Sequence, residues 1–157
     1  HMTHHITKNT RLNWINKGQN CFLIRHPAKV INSYIQKNNL QDINDIGFKK
    51  QFEIFNKIKK NKINYTVINA DMILRDPSKT IKKLCKILKI RFTKKMLNWP
   101  KGKRSSDGIW SKVWYKNVEY SNSFTKFKKE KYNVPKKYYN IYEESLNYFN
   151  EMNHYSI

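Results

Sequence analysis

Apolar residues along this chain fall into short runs and helical stripes, separated by polar, lysine-rich stretches. His1 to Gly18 is polar with weak periodicity, anchored only by Leu12, Trp14 and Ile15. Asn20 to Arg25 predicts the first strand, its apolar run Cys21 to Ile24 reading as buried. Pro27 to about Lys37 predicts a helix with Val30, Ile31, Tyr34 and Ile35 on one face. A second helix is expected to about Lys60, with Asp45 as its N-cap and Phe48, Phe52, Phe55 and Ile58 inward.

Tyr65 to Ala70 is β-branched and short, and predicts the second strand. Met72-Ile73-Leu74 fits one short helical turn after a bend at Asp71. Asp76-Pro77 combines an N-cap acid with proline at the first helical position, opening a helix to about Lys89. In that helix Ile81, Leu84, Cys85 and Leu88 fall at i, i+3, i+4 and i+7. Lys101 to Phe124 reads as a long loop carrying the aromatics Trp110, Trp114 and Tyr115. A last helix is expected from Pro135 to about Asn150, with Tyr138, Tyr142, Leu146 and Phe149 on one side. The order strand, helix, helix, strand, helix is that of a parallel sheet with right-handed crossovers. The fold class is therefore α/β, a parallel sheet flanked by helices, with a helical C-terminal end.

Length and composition narrow this only a little. The 157 residues suit one domain with a real core. No apolar run approaches the roughly 18 residues of a membrane span, and no h-region of a signal peptide is visible. Cys21 and Cys85 read as buried free thiols, which fits a reducing compartment and a cytoplasmic location. No set of residues has the spacing of a metal site. The net charge of +21 favours anionic partners. It comes from 27 Lys against 5 Arg, beside 20 Asn, 18 Ile and 2 Ala, the bias of an AT-rich coding sequence. The lysines are spread over every predicted helix and loop rather than gathered into one stripe, so attraction to nucleic acid is expected to be generic.

The candidate chemistry sits at the end of the first strand. Arg25 stands where open α/β sheets bind ligands. Pro27 opens the next helix, whose start is expected to add free N–H groups and a positive dipole end. Ser33 follows one to two turns later. A guanidinium, a hydroxyl and a helix start converging on one point make a phosphate site.

This stretch resembles the 3′-phosphate-binding segment of sulfotransferases, which use 3′-phosphoadenosine 5′-phosphosulfate (PAPS) as donor. In that family an Arg-x-Pro follows a strand and a Ser lies eight residues after the Arg, a pattern matched by Arg25, Pro27 and Ser33. Asp71 followed by Leu74-Arg75-Asp76-Pro77 is similar to the family's later acidic turn and helix start. Met96-Leu97-Asn98-Trp99-Pro100 is similar to a bacterial branch in which this helix leads to a Trp-Pro and a Gly-bearing loop. Lys101-Gly102-Lys103-Arg104 sits where the family places a basic loop over the 3′-phosphate.

The resemblance implies a P-loop NTPase-like fold and transfer of a sulfuryl group from PAPS to a hydroxyl or amine acceptor, without a metal. It implies that Arg25 and Ser33 bind the 3′-phosphate of PAPS or of adenosine 3′,5′-bisphosphate, supported by Lys103 and Arg104. It also implies a histidine base in the region of His4 and His5. It covers residues 1–125, with 126–157 as a helical extension of the same domain.

One departure stands out. The family begins with a strand, a phosphate loop and a helix that hold the 5′-phosphosulfate, whereas here none of the four glycines follows a strand and opens a helix. The expectation is a chain that forms the C-terminal two-thirds of a longer protein. The first residue is not Met, which fits a fragment or a cloning remnant at His1-Met2.

Plainer readings stand beside these. Arg25 could cap its strand and pair with Asp71, the basic loop could be solvated, and His4 and His5 could be surface histidines. The aromatics near Trp99 could anchor the long loop rather than line an acceptor pocket. At the level of function the alternatives are a non-catalytic 3′-phosphonucleotide-binding module and a basic nucleic-acid-binding protein.

Overall fold

Two parallel strands sit side by side, as the hydrophobic pattern requires. A computed structural model describes residues 6, 9–109, 111, 115–129 and 131–157. β1 (Asn20–Ile24) pairs with β2 (Tyr65–Asn69) in register, from Asn20 against Tyr65 to Ile24 against Asn69. Between them run α1 (Pro27–Tyr34), a 3-10 turn (Ile43–Ile46) and α2 (Phe48–Lys60). After β2 come α3 (Ala70–Arg75), α4 (Pro77–Ile87), the single turn α5 (Lys116–Glu119) and α6 (Tyr139–Asn153). The architecture is α/β with a parallel sheet and flanking helices, consistent with a sulfotransferase-like fold. Among the described residues no helix is long and apolar enough to cross a membrane.

The chain divides into two compact units, residues 1–71 with 129–157, and residues 72–128. In the first, Phe22 and Ile24 of β1, Val67 of β2, Ile54, Phe55 and Ile58 of α2, and Phe149 and Met152 of α6 form one buried cluster. Phe22 and Phe55 meet edge to face at 5.7 Å. Burying each such side chain contributes about 1.5–3 kcal/mol. The C-terminus adds to the sheet: Ser156 bridges Val67 in parallel, and Ile157 N–H donates to the Val67 carbonyl at 3.0 Å.

In the second unit α4 buries Thr80 and Cys85. Its Asp76 cap accepts the Lys79 N–H at 2.9 Å, and Thr80 Oγ1 donates to the Met72 carbonyl at 3.1 Å. The Trp99 region folds back on residues 121–124. Trp99 N–H donates to the Asn122 carbonyl at 2.9 Å, and its indole packs edge-on against Phe124 at 5.2 Å. Trp99 thus anchors the long loop.

Three local expectations are corrected. Asp45 does not cap α2. Its carboxylate turns back to accept the N–H groups of Gln41 and Asp42 at 2.9 and 3.0 Å, closing a capping box on the 3-10 turn that Asp42 opens. Gly47, at φ 73°, then redirects the chain into α2, a conformation that costs an L side chain about 1–2 kcal/mol. β1 is not buried throughout, because its residues alternate: Phe22 and Ile24 face the core, while Cys21 and Leu23 lie on an exposed face. Consequently only Cys85 of the two free thiols is buried.

Candidate functional site

β1 ends at Ile24, so Arg25 stands just past its carboxyl end and Pro27 opens α1 two residues later. His26 between them is the N-cap, its Nδ1 accepting the Ala28 N–H at 3.3 Å. The Lys29 and Val30 N–H groups donate to the His26 carbonyl at 3.0 and 3.3 Å. Pro27 has no N–H. The expected free donors at this helix start are therefore all engaged or absent, and the imidazole takes the place an anion would have had. What remains for an anion is side chains.

Those side chains share a cleft of about 220 Å³, lined by Arg25, Lys29, Asn32, Ser33, Gln36, Lys131 and Tyr132. Lys29, Asn32, Ser33 and Gln36 recur at i, i+3, i+4 and i+7, which puts them on one face of α1 and its continuation. Arg25 and Ser33, paired from the sequence, are thus brought together. Asp71 is not Arg25's partner. It binds Lys29, Nζ to Oδ1 at 2.8 Å, with the two side chains only 10% and 16% exposed. Among the described residues the ion pairs are this one and Lys50–Glu53, so no described acid lies within ion-pair distance of Arg25.

His26 stacks face to face on Tyr132, with ring centres 3.7 Å apart and planes 10° apart, and meets Phe149 edge-on at 5.5 Å. Burial pushes its pKa down; the Asp71 charge opposes that and the Lys29 charge adds to it. The ring therefore stays neutral near pH 7, with Nδ1 accepting and the proton on Nε2.

Lys103 and Arg104 lie in the second unit and are exposed. Arg104 N–H donates to Asp107 Oδ2 at 2.9 Å, and Gly102 N–H donates to the Glu119 carbonyl at 2.8 Å, giving the basic loop a defined turn. His4, His5, Trp110 and Trp114 lie outside the described residues. Sequence reasoning missed Lys29, Asn32 and Gln36, although their helical spacing from Ser33 was a usable signal. It also missed Lys131 and Tyr132, for which no local pattern exists.

A family model described as a sulfotransferase domain matches residues 1–155. The chain belongs to the sulfotransferase family. Among curated proteins, this sulfotransferase-family chain is similar to branched-chain-amino-acid aminotransferase-like protein 1 of Arabidopsis thaliana, 32% identical over 136 residues. It is 28% identical to the same plant's branched-chain-amino-acid aminotransferase-like protein 2, also over 136 residues. Each match covers 87% of this chain and 24% of the relative, so the chain spans about a quarter of the relatives' length. No solved structure matches it significantly.

Proposed function

We propose that this chain binds the 3′-phosphate of PAPS, or of adenosine 3′,5′-bisphosphate, through Arg25 and Ser33. It would serve that half of a sulfuryl transfer to a hydroxyl or amine acceptor. One observation carries the reading: Arg25 and Ser33 share a single cleft, while the acid that could have neutralised Arg25 is bound to Lys29. A guanidinium with no acid partner among the described residues, beside a hydroxyl, fits a phosphate by charge and by donor geometry. Family membership makes the donor class the natural ligand.

Bound PAPS supplies an activated sulfuryl group. In the transfer the acceptor oxygen or nitrogen forms a bond to sulfur, the bond from sulfur to the bridging oxygen breaks, and the acceptor's proton passes to a base. His5 is the first candidate for that base and His4 the second. Lys103 and Arg104 are proposed to support the 3′-phosphate.

The test is calorimetric binding of adenosine 3′,5′-bisphosphate to the wild type and to Arg25→Ala, at about 150 mM salt to screen generic attraction. A well-formed charged hydrogen-bond pair is worth about 1.5–3 kcal/mol, so the variant should bind about tenfold more weakly or worse. Equal affinity for the two proteins would remove the assignment.

A further inference from the structure

The cleft that holds Arg25 has two walls, and only one belongs to the motif. The first is β1's end and α1. The second is the segment Lys131–Asn133, about a hundred residues away in sequence. Three contacts pin that segment along α1. Tyr132 stacks on His26 at 3.7 Å, Lys29 Nζ lies 5.8 Å from the centre of the Tyr132 ring, and Asn32 Nδ2 donates to the Asn133 carbonyl at 2.8 Å. The anchoring residues His26, Lys29 and Asn32 follow one another at three-residue steps. The segment therefore lies along the polar face that also carries Ser33 and Gln36.

Three cations line the cleft: Arg25, Lys29 and Lys131. The charge of Lys29 is met by Asp71 at 2.8 Å. Among the described residues Lys131 has no acid within ion-pair distance. An anion entering the cleft would meet Arg25 on the motif side and Lys131 opposite.

We infer that Lys131 is a second phosphate-binding cation of this cleft, and that Tyr132 is the positioning residue that holds it there by stacking on His26. The inference rests on the proposed phosphate role of Arg25 and Ser33, and extends it to a residue pair outside the motif. The ligand class is a phosphate monoester dianion. Lys131 adds attraction to its second charge, and the tyrosine ring lines one side of the cleft.

The experiment measures binding of adenosine 3′,5′-bisphosphate at about 150 mM salt to the 157-residue chain and to Arg25→Ala, Lys131→Met, Tyr132→Leu and Tyr132→Phe, with a thermal melt of each. Lys131→Met should weaken binding about fivefold, the effect of removing one charge near the ligand in a water-like dielectric. Tyr132→Leu should weaken it by a similar factor although Lys131 is intact, whereas Tyr132→Phe keeps the stack and should bind as the wild type does. If Arg25→Ala weakens binding and Lys131→Met does not, the inference fails while the phosphate site stands. If wild type and Arg25→Ala bind alike, the underlying reading fails and takes the inference with it. If Tyr132→Leu melts too low to assay, Lys131→Met decides alone, because an exposed lysine tests the charge without touching the core.

Discussion

Replacing Asp71 by Asn should weaken the fold and tighten the anion cleft together. Lys29 Nζ and Asp71 Oδ1 lie 2.8 Å apart, with the two side chains 10% and 16% exposed. Fully exposed pairs contribute about 0.2–1 kcal/mol, and removing one partner of a fully buried pair costs about 3–5 kcal/mol. This pair is mostly covered, yet solvent reaches Lys29 through the cleft. A loss of about 1–2 kcal/mol follows, which for a chain of this size lowers Tm by about 2–8 °C. Asparagine keeps the shape, so the loss reports charge rather than a cavity. The effect on binding has the opposite sign. Lys29 lines the cleft, and without the Asp71 carboxylate more of its charge acts on a bound anion. A unit charge about 4 Å away is worth about 1 kcal/mol in water-like surroundings, or roughly fivefold in Kd. Circular-dichroism melts and calorimetry with adenosine 3′,5′-bisphosphate read the two effects separately. Lys29→Met is the control: it should lose stability without gaining affinity. An Asp71→Asn protein that melts lower but binds no tighter would refute the claim that Lys29 acts on the anion. An unchanged Tm would refute the claim that the pair stabilises the fold.

Two further predictions concern groups around the site. Burial lowers the His26 pKa in the folded chain, so the unfolded chain binds that proton more readily. The stability contributed by neutral His26 is complete above the unfolded value of about 6.5, and is lost as pH falls from there towards the lower folded value. His26→Asn keeps an N-capping side chain without the titration, so its urea midpoint should fall less between pH 7.5 and 5.5 than the wild type's; parallel curves would count against the argument. Iodoacetamide on the native chain should alkylate Cys21 and spare Cys85 until denaturant is added. Partial burial raises the Cys21 thiol pKa, so the rate should still be climbing past the ordinary thiol value of about 8.5, and two alkylations under native conditions would contradict the fold.

What the sequence revealed and concealed divides by range. Both strands, α1, the Asp76-Pro77 start of α4 and the tyrosine-faced last helix follow from periodicity and capping chemistry, which are local. The cap of α2 was misread because Asp42 and Asp45 are both acids ahead of an apolar stripe, and only three-dimensional reciprocity shows which turn they serve. The exposure of Cys21 and Leu23 was equally hidden, since an apolar run does not say that only one face of its strand is covered. At the site, the Arg25–Ser33 pairing was legible through the family resemblance, whose pattern sets a serine eight residues after the arginine. The partner of Asp71 was not, because Arg25 and Lys29 are both basic, and choosing between them needs coordinates. Tyr132 on His26 joins residues more than a hundred positions apart, with no spacing to betray it.

The occupied start of α1 changes how an anion would be recognised. Had its amides been free, binding would draw on fixed dipoles, which are indifferent to pH. With the first turn closed by the imidazole, recognition falls to guanidinium, ammonium and hydroxyl groups. Affinity would then follow the ligand's own ionisation, the second proton of a phosphate monoester leaving near pH 6. Under the proposed function this has a kinetic consequence. The 3′-phosphate is chemically the same in PAPS and in adenosine 3′,5′-bisphosphate, and it lies remote from the sulfur that moves. A clamp on it therefore binds ground state and transition state alike, and such uniform binding lowers KM without raising kcat. In a transferase assay on the whole protein, the cost of losing Arg25 or Lys131 would fall on KM for the donor. The loss of the base would fall on kcat. Under the proposed function the cleft would be a handle on the nucleotide, and the rate of transfer would belong to the groups that meet the sulfuryl end.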